Sequence, residues 1–128
     1  MKKILALLVL LGVTHGDTKT DAELLADKIA KLRIFSDEND KMNLSVTDVD
    51  GGIIVVSQFT LYASYRKGNR PDYLNSAAPS VAEPLYEYFT EYLGKYTNKV
   101  SPGVFGAHME VSLLNDGPVT LVVDTDQL

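Results

Sequence analysis

Apolar and polar positions along this chain alternate in two rhythms, and the points where each starts and stops lay out its elements. Residues 4–13 form an apolar run rich in leucine and valine that closes at Gly12, the length and content of a short buried strand. Thr20 and Glu23 then have the spacing of a capping box, in which two side chains satisfy backbone N–H groups at a helix start. Ala22, Leu25, Ile29 and Leu32 follow at helical spacing, which predicts an amphipathic helix to about Arg33. The polar cluster at residues 36–40 reads as a turn and Gly51-Gly52 as a break. Residues 53–61 carry the strongest strand pattern, apolar on both faces at the start, and so predict a central strand.

Residues 63–79 turn polar and rich in glycine and proline, with the basic run Arg66-Lys67-Gly68-Asn69-Arg70 inside them, the character of an exposed loop. Ser80 and Glu83 repeat the capping-box spacing and Pro84 is tolerable in a first turn. Leu85, Phe89 and Tyr92 share one helical face, and Gly94 is a fitting stop. Met109, Val111 and Leu113 alternate with His108, Glu110 and Ser112 as in a half-buried strand, and residues 119–123 predict another after the turn Asn115-Asp116-Gly117-Pro118. Strands and helices mixed in this order indicate an α/β fold of the α+β type, with a largely antiparallel sheet in barrel-like layers and two amphipathic helices. No repeat or linker divides the chain, so residues 1–128 are read as a single domain.

Composition narrows the chemistry. The 128 residues, 45% of them hydrophobic, suit one domain with a real core. The absence of cysteine excludes disulfides, thiolate zinc sites and cysteine nucleophiles. A formal net charge of −5 argues against sequence-independent coating of nucleic acid, including DNA, so an RNA would have to be gripped locally. Lys2 and Lys3 before the first apolar run imitate a secretory signal. The run is shorter than the roughly 20 residues a membrane span needs. Signal and buried strand both remain open on the residues alone.

Histidine is the usual acid–base suspect near neutral pH. His15 lies in a polar loop and reads as solvated or capping, and His108 reads as an exposed strand residue. The acidic stretch Asp37-Glu38-Asn39-Asp40 lacks the terminal glutamate of a calcium loop. No nucleophile elbow, phosphate-binding glycine loop or histidine-pair metal motif is present. Two segments resist dismissal. Ser57-Gln58-Phe59-Thr60-Leu61 puts three hydrogen-bonding side chains at the end of an apolar strand, and leaving one buried and unpaired costs about 1–3 kcal/mol. Alternation separates Ser57 and Phe59 from Gln58 and Thr60, so these side chains converge only if the strand bends; otherwise backbone N–H groups are the ligands. Asn115-Asp116-Gly117-Pro118-Val119-Thr120 reads by itself as an ordinary turn, and only about 5–6% of X-Pro bonds are cis.

Together and in this order, the two segments resemble the signature motifs of the D-aminoacyl-tRNA deacylases. The resemblance continues through Leu8-Val9-Leu10-Leu11-Gly12-Val13, Arg33-Ile34-Phe35, Lys41-Met42-Asn43, Arg70-Pro71, Ala82-Glu83 and Phe105-Gly106-Ala107, nearly the whole chain. It implies an enzyme that hydrolyses the ester of D-aminoacyl-tRNA, and of glycyl-tRNA, without cofactor or metal. It implies a homodimer in which Gly117-Pro118, with its peptide bond cis, enters the partner's pocket and rejects L-amino acids by collision. Ser57, Gln58, the Phe59 backbone and Thr60 would hold the aminoacyl group and terminal adenosine, with Ala82, Phe105 and Met109 around the adenosine. The substrate's ribose 2′-hydroxyl would assist attack by water, with Thr60 as a covalent nucleophile the rival route. The basic side chains Arg66, Lys67 and Arg70 read either as acceptor-stem phosphate contacts or as a solvated loop.

One departure stands out. Family members usually begin with an extra strand pair, bearing an arginine that guards the pocket, before the segment matching residues 8–13. This sequence begins almost directly there: either its start is assigned too far downstream or the protein lacks two strands, which would leave a sheet edge open. The alignment of residues 4–13 with a core strand favours a cytoplasmic protein. The alternatives are a tRNA-end-binding protein that has lost turnover and a small secreted interaction domain.

Overall fold

The computed structural model describes residues 5–128. Lys2 and Lys3, on which the signal-like reading turns, lie outside them. Strand β1 (Ala6–Leu11) pairs in parallel with β4 (Gly52–Ser57), from Ala6 opposite Gly52 to Leu11 opposite Ser57. Strand β5 (Val100–Pro102) lies parallel on the other side of β4, giving the order β1-β4-β5. The strand expected to be central is therefore central. Helix α1 (Lys19–Lys31) lies between β1 and β4 in the chain, and α2 (Pro79–Leu93) between β4 and β5. Such helical crossovers bring successive strands back in the same direction.

The α/β class and the two amphipathic helices thus hold, but the main sheet is parallel, not antiparallel. Among the described residues, antiparallel pairing is confined to a small hairpin, β2 (Phe35–Ser36) with β3 (Met42–Leu44), and to two isolated bridges. Barrel-like closure is not seen among the described residues. Residues 108–113 and 119–123 form no strand, because among the described residues no backbone ladder is made to them. They run outside any ladder, with Val111, Leu113, Val119, Leu121 and Val122 all exposed.

Helix starts differ from expectation in a consistent way. The capping box of α1 is made by Thr18 and Asp21, two residues before the expected pair, and the Thr18 N–H donates to Asp21 Oδ2 at 2.8 Å. In α2 the cap is Ala78, Pro79 occupies the first turn and Pro84 lies inside the helix, where it removes a rung. Gly94 closes α2 as expected. The buried stripe is Ala82, Tyr86, Phe89 and Leu93, rotated from the expected face, with Leu85 half-buried beside it.

One cluster joins the layers: Leu11 from β1, Ala26 and Ile29 from α1, Ile53 and Val55 from β4, and Phe89 and Leu93 from α2. The tyrosine between them is anchored at its polar end. The Tyr86 hydroxyl donates to the Val55 carbonyl at 2.7 Å and accepts from the Gly103 N–H at 2.9 Å, tying α2 to β4 and to the chain after β5. The other sheet face is open, with Leu10 and Ile54 exposed.

A polar seam joins the helices outside that core. The Tyr88 hydroxyl donates to Glu23, and the Tyr96 hydroxyl donates to Asp27 Oδ1 at 2.5 Å. Lys19 lies over the Tyr88 ring and Lys95 over the Tyr92 ring, 4.9 and 4.3 Å from the centroids. Its hydrogen bond to the Asp27 carboxylate, ahead of desolvation, pushes the Tyr96 phenol up to about 12, and the same bond holds Asp27 below its ordinary value. A phenol raised in the folded state contributes stability below its unfolded value, near 10, that disappears as pH rises through the folded one. Alkaline unfolding followed by circular dichroism is therefore expected to show a fall in stability between about pH 10 and 12 that is smaller in Tyr96→Phe. Equal falls in both proteins would deny the seam this role.

Candidate active site

The end of β4 fixes the geometry of the polar motif. The Gln58 N–H makes the last rung to the Leu11 carbonyl at 2.8 Å, and Gln58 then leaves the strand with φ −136° and ψ 79°. A single 3-10 turn, Phe59–Tyr62, begins at once, held by the Leu61 N–H on the Gln58 carbonyl at 3.2 Å. The expected strand over residues 53–61 thus stops at Ser57. The bend brings together two side chains: the Gln58 amide donates to Thr60 Oγ1 at 2.5 Å. Ser57 and Gln58 are half-buried, while Phe59 and Thr60 are exposed. The first N–H groups of a helical turn have no partner within it. Among the described residues, those of Phe59 and Thr60 have none elsewhere.

Close packing holds the turn in place. A Cβ on Gly12 would lie 2.9 Å from the Tyr62 ring and 3.3 Å from the Leu61 Cβ, so the missing side chain at the end of β1 is what lets the turn sit against it. On the other side, the Phe59 ring meets Tyr73 edge-on, with centroids 4.9 Å apart.

The remaining expected site residues fall into three places. Ala82 is buried with Val13 and Ala77, and Phe105 packs over this group and against Tyr86 at 5.9 Å between centroids. Met109 presses on the backbone at Gly103, where a Cβ would meet its Sδ at 2.8 Å. The Gly117-Pro118 peptide bond is cis, Gly117 has φ 134°, and both residues are exposed in the C-terminal segment, outside any strand. Neither is hydrogen-bonded to residues 57–60 of its own chain.

Concave space not anticipated from the sequence lies behind the turn. A cavity of about 240 Å³ is lined by Gly12, Asp17, Leu61, Tyr62, Leu85 and Asp124 among others, and a neighbouring one of about 300 Å³ by Thr14, Asp17, Tyr62, Asn75, Asp124 and Asp126. Burial raises the Asp17 carboxyl against the lowering effect of the Thr14 N–H, and burial followed by the nearby carboxylates raises the Tyr62 phenol. The sequence signal was slight, an aspartate soon after a strand-ending glycine. His15 does not face these groups: its Nε2 meets the Leu74 carbonyl at 2.7 Å, linking two loops. Among the described residues no group of three or more His, Asp or Glu is placed to hold a metal ion.

Fold and motif together define a small α/β protein that presents a polar 3-10 turn at the carboxyl end of its central strand, the edge at which parallel sheets commonly offer ligand sites. Comparison with known proteins sharpens this. The sequence profile described as D-Tyr-tRNA(Tyr) deacylase matches residues 4–124. The D-aminoacyl-tRNA deacylase of Thermosipho africanus is 57% identical over 122 residues, 95% of this chain and 82% of that protein. The D-aminoacyl-tRNA deacylase of Flavobacterium johnsoniae is 58% identical over 120 residues, 93% of this chain and 80% of that protein. Among solved structures, one described as c-Myc DNA Unwinding Element Binding Protein has 42% identity and a TM-score of 0.82, over 89% of this chain and 78% of that one. A probable eukaryotic D-amino acid tRNA deacylase, 15% identical with a TM-score of 0.63 over 79% of this chain and 74% of that one, shares the fold. The chain belongs to the D-Tyr-tRNA(Tyr) deacylase family.

Proposed function

We propose that this protein hydrolyses the ester between a D-amino acid, or glycine, and the 3′ end of a tRNA. The observation that carries the reading is the Gln58 amide on the Thr60 hydroxyl, beside two unpartnered N–H groups on an exposed turn. An ester carbonyl developing negative charge needs oriented donors, and such donors supply several kcal/mol without a side-chain base. Thr60 Oγ1 accepts a hydrogen bond from the Gln58 amide, so its own hydroxyl proton is free to point at substrate. Ser57, Gln58, the Phe59 backbone and Thr60 hold the aminoacyl group and the terminal ribose, and the neighbouring 2′-hydroxyl assists the attacking water. Phe105 and Met109 border the adenosine, with Ala82 shaping the floor from beneath Phe105.

Selection by handedness is steric in this reading. In a homodimer, the exposed Gly117-Pro118 unit of one subunit enters the other's pocket as a stiff wall. An L side chain strikes it, a D side chain points away, and glycine has nothing to strike. Rejection by collision leaves the accepted side chain untouched, so many D-amino acids are tolerated. Such a substrate places the protein in the cytoplasm, and no helix among the described residues is long and apolar enough to cross a membrane.

Incubation with D-Tyr-tRNA, L-Tyr-tRNA and Gly-tRNA tests the proposal: D-tyrosine and glycine are released and L-tyrosine is not. Retention of all three overturns it and leaves a binding protein. Pro118→Ala is expected to raise L-Tyr release about tenfold, the loss of roughly 1.4 kcal/mol of repulsion, with a smaller change for D-Tyr. Unchanged rejection of L-Tyr would remove the proline ring from the selection step.

A further inference from the structure

The loop that follows the polar turn carries a feature the hydrolytic chemistry does not use. Arg66, Lys67 and Arg70 lie within five residues, all exposed, in a chain whose net charge is −5. Among the described residues none of the three forms an ion pair. Asp72, the acid that follows them in the loop, accepts from the Leu74 N–H at 3.3 Å and forms no ion pair with them. A Cβ at Gly68, between the cations, would meet nothing within 4 Å, so the tip stands in open solvent.

The base of the loop is nevertheless fixed relative to Thr60. Ser64 and Asp72 exchange two backbone hydrogen bonds of 2.8 Å each, closing the loop as a short antiparallel rung. The next residue, Tyr73, packs edge-on against Phe59 within the polar turn. A chain advances at most about 3.6 Å per residue, so the three cations lie within on the order of 20 Å of that rung. Tyr65, 74% exposed, offers a flat aromatic face beside them.

We propose that Arg66, Lys67 and Arg70 grip backbone phosphates of the RNA whose 3′ end lies at the Gln58–Thr60 turn, and so set the direction in which the nucleic acid approaches. This rests on the function proposed above. An acidic surface repels RNA, and a cluster of three cations on one loop then fixes orientation as well as affinity. Phosphate contacts of this kind position a nucleic acid without reading its sequence, so the grip is shared by many tRNAs.

The test replaces all three residues by serine and compares two esters, D-Tyr-tRNA and the D-tyrosyl ester of adenosine, which carries no phosphate. For D-Tyr-tRNA, KM is expected to rise about tenfold or more with kcat little changed. The slope of log affinity against log salt for uncharged tRNA should flatten by about two to three, the effect of losing three phosphate contacts. Hydrolysis of the adenosine ester should stay at the wild-type rate, which also shows that the variant is folded. Arg66→Lys with Arg70→Lys, which keeps the charge, should retain binding. A triple variant with wild-type KM and salt slope overturns the proposal, as does one that loses affinity for a DNA duplex while keeping its affinity for tRNA. If the wild type hydrolyses neither ester, the proposed function fails, yet the salt dependence of tRNA binding still decides whether the loop grips RNA.

Discussion

Phe89→Ala is expected to lower stability by about 3–5 kcal/mol, the cost of emptying a fully buried aromatic site. Phe89 has no exposed surface and sits where β1, β4 and α1 meet the inner face of α2, so little around it is free to collapse into the gap. For a domain whose total stability is of order 5–15 kcal/mol, that is a large share. Phe89→Leu keeps most of the volume and should cost less than half as much. The midpoint of urea unfolding at constant slope reads both effects. A loss below about 1 kcal/mol for the alanine variant would mean that α2 is not seated on the sheet through this ring.

Thr60→Val should lower kcat/KM for D-Tyr-tRNA by about a hundredfold, with Thr60→Ser largely restoring it. The valine keeps the shape and removes only the hydroxyl. Losing one oriented donor costs about 10²–10³ in rate, whereas deleting a covalent nucleophile costs roughly 10⁴-fold or more. The smaller figure is expected, because Thr60 Oγ1 accepts from the Gln58 amide and among the described residues no base is hydrogen-bonded to it. Single-turnover measurement without a burst of bound aminoacyl product would agree. A fall beyond 10⁴-fold together with such a burst would restore the nucleophile.

Local patterning exposed the helices but not their first residues. Thr18 and Thr20 each head a threonine-x-x-acid quartet, and only the path of the chain out of β1 selects the earlier frame. Strand direction was legible in principle, since the order strand, helix, strand, helix along residues 4–93 is that of parallel crossover units. Residues 108–113 misled because alternation describes side chains, while a strand also needs a neighbour for its backbone. At the site, the motif was evident but its working geometry hinged on Gln58, whose departure from the strand depends on the room left by Gly12. The acidic cavity behind Tyr62 joins residues more than a hundred positions apart, a proximity that no window of sequence contains.

The tyrosine seam has a practical side. The chain has no tryptophan and seven tyrosines, of which Tyr86, Tyr88 and Tyr92 lie on α2 and Tyr96 just beyond it. Tyr62 and Tyr73 stand in and against the polar turn, so the near-ultraviolet spectrum mixes signals from the helix seam with signals from the turn. A tryptophan introduced at the exposed, edge-packed Phe59 would give the polar turn an optical signal distinct from the tyrosines.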